Sequence, residues 1–110
     1  MNPNRTRRTP RAAVAVRTAR IARVLADVAP GTAAVRTTPV PPDVLSPNGR
    51  TLVALDDSHG RPVTVGHSAH KAARDLLRQQ FSLSDWTLPH HYDVRTGRLY
   101  PLGTVPEARR

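Results

Sequence analysis

Four prolines fall within ten residues of one another, at Pro39, Pro41, Pro42 and Pro47. Proline fixes φ and carries no amide proton, so a run this dense supports neither a helix nor the middle of a sheet. The stretch GTAAVRTTPVPPDVLSPN therefore reads as an extended linker, and residues 30–49 are assigned to it. Arg36 to Pro42 also fits the R-x-x-P-x-x-P pattern of polyproline ligands, although a stiff spacer accounts for the same residues.

A linker in that place divides the charge unevenly. Residues 1–50 hold nine arginines against Asp27 and Asp43, while residues 51–110 hold eight basic and six acidic residues. Arginine supplies 16 of the 17 cations, which points to a GC-rich, bacterial coding sequence and attributes part of the excess to codon bias. Codon bias does not explain position. A basic segment ahead of a near-neutral one is the layout of an arm joined to a folded module.

The arm opens on residues 1–9, polar, basic and expected to be disordered. Thr9-Pro10 reads as an N-cap followed by proline at the first helical position, and Pro30-Gly31 stops the periodic run, which predicts a helix over 10–29. Val14, Ile21, Leu25 and Val28 recur on one side of that helix, and Arg17, Arg20 and Arg23 on another. The Arg7-Arg8 pair hints at a twin-arginine export signal, but the arginines that follow break its apolar core, and that reading is rejected. An organelle transit peptide has a similar composition and is the lesser alternative. Asn4-Arg5-Thr6 matches a glycosylation acceptor, which is empty without a secretory signal.

The module, residues 50–104, reads as hairpin, helix, hairpin. Residues 51–55 and 62–66 are β-rich, and Gly60 takes the left-handed loop position, pairing Asp57 with Arg61, Leu55 with Val63 and Val53 with Val65. Ser68 caps a helix over 69–81, whose buried face is Ala69, Ala72, Ala73, Leu76, Leu77 and Phe81. Trp86 and Leu88 are strand-like, and a second hairpin turns at Gly97, pairing Val94 with Arg98 and Tyr92 with Tyr100. Trp86 and Phe81 are the expected bulky core pieces, with Tyr92 and Tyr100 nearer solvent; residues 105–110 form a disordered tail. The fold class is α+β: a basic N-terminal helix, a proline-rich linker and a small hairpin–helix–hairpin domain. Whether the first helix docks on the module or pairs with a copy of itself stays open.

Function is read from charge. Duplex DNA carries one phosphate charge per ~1.7 Å of axis, and guanidinium forks match phosphate oxygens in pairs. Arg5, Arg7, Arg8, Arg11, Arg17, Arg20 and Arg23 all precede the first carboxylate, Asp27. They are the expected contacts of a non-enzymatic nucleic-acid-binding or accessory protein, with Lys71, Arg74 and Arg78 as a second basic stripe on the 69–81 helix. DNA and RNA are not distinguished, and phosphate contacts carry no sequence information. One alternative is a protein-interaction adaptor or homodimer using the apolar face Val14, Ile21, Leu25 and Val28.

The other alternative is a small metal-independent ribonuclease of the toxin kind, for which His67, His70, His90, His91, Arg95 and Tyr92 supply the side-chain types. No nucleophile elbow or phosphate-binding glycine loop is present, so no catalytic residue is assigned. The absence of cysteine excludes disulfides and thiolate metal sites. His67, His70, His90 and His91 with Asp93 lack the frame of a zinc motif, so neither metal nor cofactor is expected; His59 falls in an exposed loop. No apolar run is long enough to cross a bilayer, and a cytoplasmic location without membrane partners is expected.

Overall fold

The computed structural model describes residues 10–44, 47 and 49–102. The tails expected to be disordered lie outside these residues. Helix α1 spans Pro10–Val28 and helix α2 spans His67–Gln80. Four strands, β1 (Ala34–Val40), β2 (Arg50–Asp56), β3 (His90–Asp93) and β4 (Arg98–Pro101), form one sheet in the order β2-β1-β3-β4. Every neighbouring pair is antiparallel, so the fold is mixed α+β, and the order helix, strand, strand runs twice.

The first half of the proposed linker is a strand inside the sheet. β1 pairs with β2 over its whole length and with β3 from Ala34 to Thr37. The β-branched residues Val35 and Thr37 point to the core, and Arg36 and Thr38 point away, the period-2 pattern of a half-buried strand. Pro39 is tolerated because it lies beyond Thr37, the last residue paired with β3, where β1 has a neighbour on one side only. The prolines that follow belong to the connection into β2. Gly49 closes it at φ +76, with a hydrogen where a Cβ would come within 2.9 Å of the Val40 carbonyl oxygen.

β2 is an edge strand, and on its open side only the turn end of the expected hairpin with residues 62–66 forms. The turn itself is present: the Asp57 amide donates to Arg61 O at 2.8 Å, and the Val63 amide donates to Leu55 O at 2.8 Å. Beyond one bridge, Asp56 to Pro62, the pairing stops, so Val53 pairs with Thr37 on the β1 side and is not paired with Val65 on the other. Pro62 offers no amide to extend a ladder. The Asp57 carboxylate accepts the amide hydrogens of His59 and Arg61, which fixes the turn locally.

The second hairpin forms with its register shifted by one residue. Tyr92 pairs with Leu99 and Asp93 with Arg98, not Tyr92 with Tyr100. The cause is the turn: the Asp93 carboxylate accepts from the amides of Arg95 and Thr96, and the Gly97 amide donates to Asp93 O, so the loop holds four residues instead of three. A one-residue slip sends alternate side chains to opposite faces. Tyr92 therefore enters the core, fully buried, while Tyr100 stacks on His91 on the outer face at 5.2 Å between centroids. Trp86 and Leu88 lie in turns rather than a strand.

Both helices cover one face of the sheet. Ile21, Leu25 and Ala29 meet Val35, Leu55 and Tyr92 of the strands and Ala73 and Leu77 of α2 in one continuous core. Phe81 and Trp86 pack against its rim, Phe81 edge-on to Tyr92 at 5.6 Å. α1 is thus a structural layer of the domain, not an arm joined to it by a spacer. Of the apolar face assigned to a partner, Ile21 and Leu25 are buried internally and Val28 packs against the core, while Val14 stays exposed. α2 begins after Gly66, which caps without a side-chain hydrogen bond, so Ser68 lies inside the first turn instead of capping it.

Candidate nucleic-acid interface

The docking of α1 sorts its arginines. At about 100° per residue the buried stripe through Ile21, Leu25 and Ala29 leaves Arg17 on its edge and turns Arg20 and Arg23 to the outer surface. The Arg17 guanidinium carbon lies 4.2 Å above the centre of the Phe81 ring, and its Nε is buried without a hydrogen-bond partner. That cation is bound by the protein's own core, and Arg17 is withdrawn from the phosphate-binding set. Beside it the Tyr92 hydroxyl is also buried and outside hydrogen-bonding geometry; burial raises its pKa, against the Arg17 charge and the nearby Thr18 hydroxyl, which donates to Val14 O instead.

Arg11, Arg20 and Arg23 are exposed. Among the described residues no carboxylate pairs with any of them. Arg5, Arg7 and Arg8 lie outside the described residues. The second basic stripe is largely neutralised: Lys71 Nζ is 3.1 Å and Arg74 Nε 3.0 Å from the two oxygens of Asp75. Their hydrogen bonds, that of Lys71 foremost, hold the Asp75 carboxyl below its usual pKa. Arg78 is exposed and unpaired among the described residues, but it faces a different groove from α1.

One cation not counted in either stripe joins the first set. Arg95, in the β3–β4 turn, lines a trough of about 600 Å³ together with Arg11, Ala15, Ala19 and Ala22 of α1. The trough exists because α1 and the turn touch at Gly97, which is buried against Thr18. Alanine, valine and threonine side chains line the rest of it, with Arg11 and Arg95 its two cations. In the sequence Arg95 was legible as a turn residue beside Gly97; that the turn would meet the first helix was not.

The histidines do not converge. His90 and His91 are neighbours on β3 and face opposite sides of the sheet: His90 is buried against Trp86 at 4.7 Å, and His91 lies against Tyr100. His67 and His70 belong to the first turn of α2, where the His70 ring contacts Gly66 O at 3.1 Å. Tyr92 is closed to solvent. The ribonuclease set is therefore not assembled around one point, and among the described residues no group of three His, Cys, Asp or Glu is placed to hold a metal ion.

No protein-family model, no curated protein and no solved structure matches this chain. Among the described residues no helix is long and apolar enough to cross a membrane.

Proposed function

We propose that this protein binds nucleic acid through the phosphate backbone, without catalysis, at the trough between α1 and the β3–β4 turn. Arg11 and Arg95 hold the strand at the trough, and Arg5, Arg7 and Arg8 precede it in the chain; Arg20 and Arg23, about 180° and 120° around α1 from Arg11, face away from the trough and add only to the general positive field. The observation that carries this reading is the meeting of Arg11 and Arg95 at one small-residue trough with no carboxylate of the described residues paired to either. An uncompensated guanidinium on a fixed helix meets a phosphate with little further ordering of the backbone. Arg17, Lys71 and Arg74 are left out, because Phe81 and Asp75 already engage them.

The test is a titration of labelled DNA and RNA at two salt concentrations. On a duplex each phosphate contact contributes about −0.9 to the slope of log K against log salt. The double substitution Arg11→Ala, Arg95→Ala is expected to reduce the slope by up to about 1.8, and Lys71→Ala to leave it unchanged. Absence of binding at low salt, or equal losses from the Lys71 and Arg11 substitutions, overturns the proposal.

A further inference from the structure

A second groove, of about 650 Å³, opens at the other end of the fold between the β1–β2 connection and the segment that leads from α2 to β3. Its size is in the range of small-ligand sites. Three features set it apart from an ordinary surface crevice. One wall is proline, from Pro39, Pro41 and Pro42, and the facing wall carries Trp86, the only tryptophan in the chain. The indole is held in place: its N–H donates to Phe81 O at 3.0 Å, and the His90 ring lies 4.7 Å away on the core side. Two cations from separate elements, Arg50 at the start of β2 and Arg78 in the last turn of α2, reach the same groove.

Among the described residues neither Arg50 nor Arg78 has an ion-pair partner. The nearby carboxylate of Asp85 is turned into its own loop, where it accepts the Thr87 amide hydrogen at 3.0 Å and the Thr87 hydroxyl. The groove therefore combines a fixed aromatic wall, a facing apolar wall and two cations without an ion-pair partner among the described residues. A planar ring that carries an anion matches all three.

We infer that this groove binds an unpaired nucleotide, with the base between Trp86 and the proline wall and the phosphate between Arg50 and Arg78. Aromatic walls take unstacked bases because every base has a π-face, and guanidinium groups take the phosphate. The inference rests on the nucleic-acid reading of the α1 trough for the source of that nucleotide, a single-stranded stretch of the bound strand. It adds a preference that phosphate contacts alone do not give: unpaired over paired strand.

Trp86 reports directly on its own site. The full-length protein is titrated with adenosine 5′-monophosphate, adenosine, inorganic phosphate and N-acetylphenylalanine while indole fluorescence is read. Saturable quenching by the monophosphate is expected, with adenosine, which lacks the guanidinium contacts, and phosphate, which lacks the stacking contribution of roughly 5- to 150-fold, each at least about tenfold weaker. Arg50→Ala and Arg78→Ala, both at exposed positions, are each expected to weaken the monophosphate about tenfold or more, the loss of one charge-assisted contact. A single-stranded oligonucleotide should quench and compete with the monophosphate; the matching duplex should not.

No saturable quenching, quenching indifferent to both arginine substitutions, equal quenching by N-acetylphenylalanine, or a monophosphate site that the oligonucleotide does not occupy each overturns the inference. The Arg11→Ala, Arg95→Ala protein separates the two readings. Quenching by the monophosphate should survive in it, whereas failure of the trough alone appears as unchanged salt dependence with the groove still occupied.

Discussion

Gly97 is where the docking of α1 can be tested by a single methyl group. Its φ of +75 lies in the left-handed region, and a Cβ there would overlap the Thr18 hydroxyl oxygen and approach Thr18 Cβ to 2.9 Å and Cγ2 to 3.0 Å. Alanine thus meets two separate penalties: about 1–2 kcal/mol for the left-handed backbone, and about 1–3 kcal/mol for forcing the helix and the turn apart. The sum, about 2–5 kcal/mol, is a large share of the roughly 5–15 kcal/mol that holds a domain folded. At about 4–8 °C per kcal/mol for a domain of this size, the midpoint should fall by roughly 10 °C or more. Gly60 is the matched control, with φ +78 and nothing within 4 Å of the added Cβ. Gly60→Ala should cost only the backbone penalty, about 1–2 kcal/mol. Urea unfolding of both variants isolates the contact with α1 as their difference. Thr18→Ala, which removes two of the three clashing atoms, should restore part of the Gly97→Ala loss, with a coupling of about 0.5–3 kcal/mol. Gly97→Ala no more harmful than Gly60→Ala would show that α1 does not rest on the turn, and the trough shared by Arg11 and Arg95 would lose its basis.

Arg17→Met should change stability by less than about 1 kcal/mol, because the lost cation–π contact, about 0.5–2 kcal/mol, is offset by removal of a buried, unpaired Nε. In a salt titration it should leave nucleic-acid affinity untouched where Arg11→Met lowers it. Tyr92→Phe removes an unsatisfied buried hydroxyl and should stabilise by roughly 1 kcal/mol at neutral pH. The Tyr92 pKa is raised in the fold, so the unfolded chain ionises first: the wild type should lose stability above about pH 10 relative to the Phe variant, as thermal melts against pH would show. At the acid end the signs reverse. Asp57 is depressed by the amides of Arg61 and His59, and Asp75 by its Lys71 and Arg74 hydrogen bonds. Their contribution is complete above the ordinary carboxylate value, about 3.9, and fades as pH falls through the lower folded values. The double variant Asp57→Asn, Asp75→Asn should therefore show a shallower decline between about pH 4 and pH 2.

What the sequence disclosed was local. The two helices were legible from apolar spacing and from the breakers Pro30 and Gly31, and the structure places them at Pro10–Val28 and His67–Gln80. Gly60 and Gly97 were legible as left-handed turn positions and have φ of +78 and +75. What failed was pairing at a distance. The prolines outweighed the alternation of Val35 and Thr37, although the first of them lies past the point where β1 needs donors on both sides. The hairpin at Gly97 slipped by one residue because the Asp93 carboxylate builds a longer turn than a lone glycine implies, and that slip decided which tyrosine entered the core. On the candidate site, charge was legible and engagement was not: no local pattern marks Arg17 for Phe81, whereas Lys71 and Asp75, one helical turn apart, could have been read as a pair.

The difference between an arm and a docked layer changes what the arginines can do. On a disordered arm each phosphate contact also has to order backbone, at about 1–2 kcal/mol per residue, and seven cations act as a diffuse cloud. With α1 seated through Ile21, Leu25 and Ala29, that ordering is complete before any ligand arrives, and Arg11, Arg20 and Arg23 have fixed spacing on one rigid element. The same docking removes Arg17 from the set and brings in Arg95. Fewer cations in fixed positions yield a smaller salt slope than the count of arginines implies, and a stronger dependence on the shape of the strand. The Gly97 contact therefore sets both the stability of the fold and the geometry of its cationic trough, so a substitution that lifts α1 should weaken binding without altering the net charge.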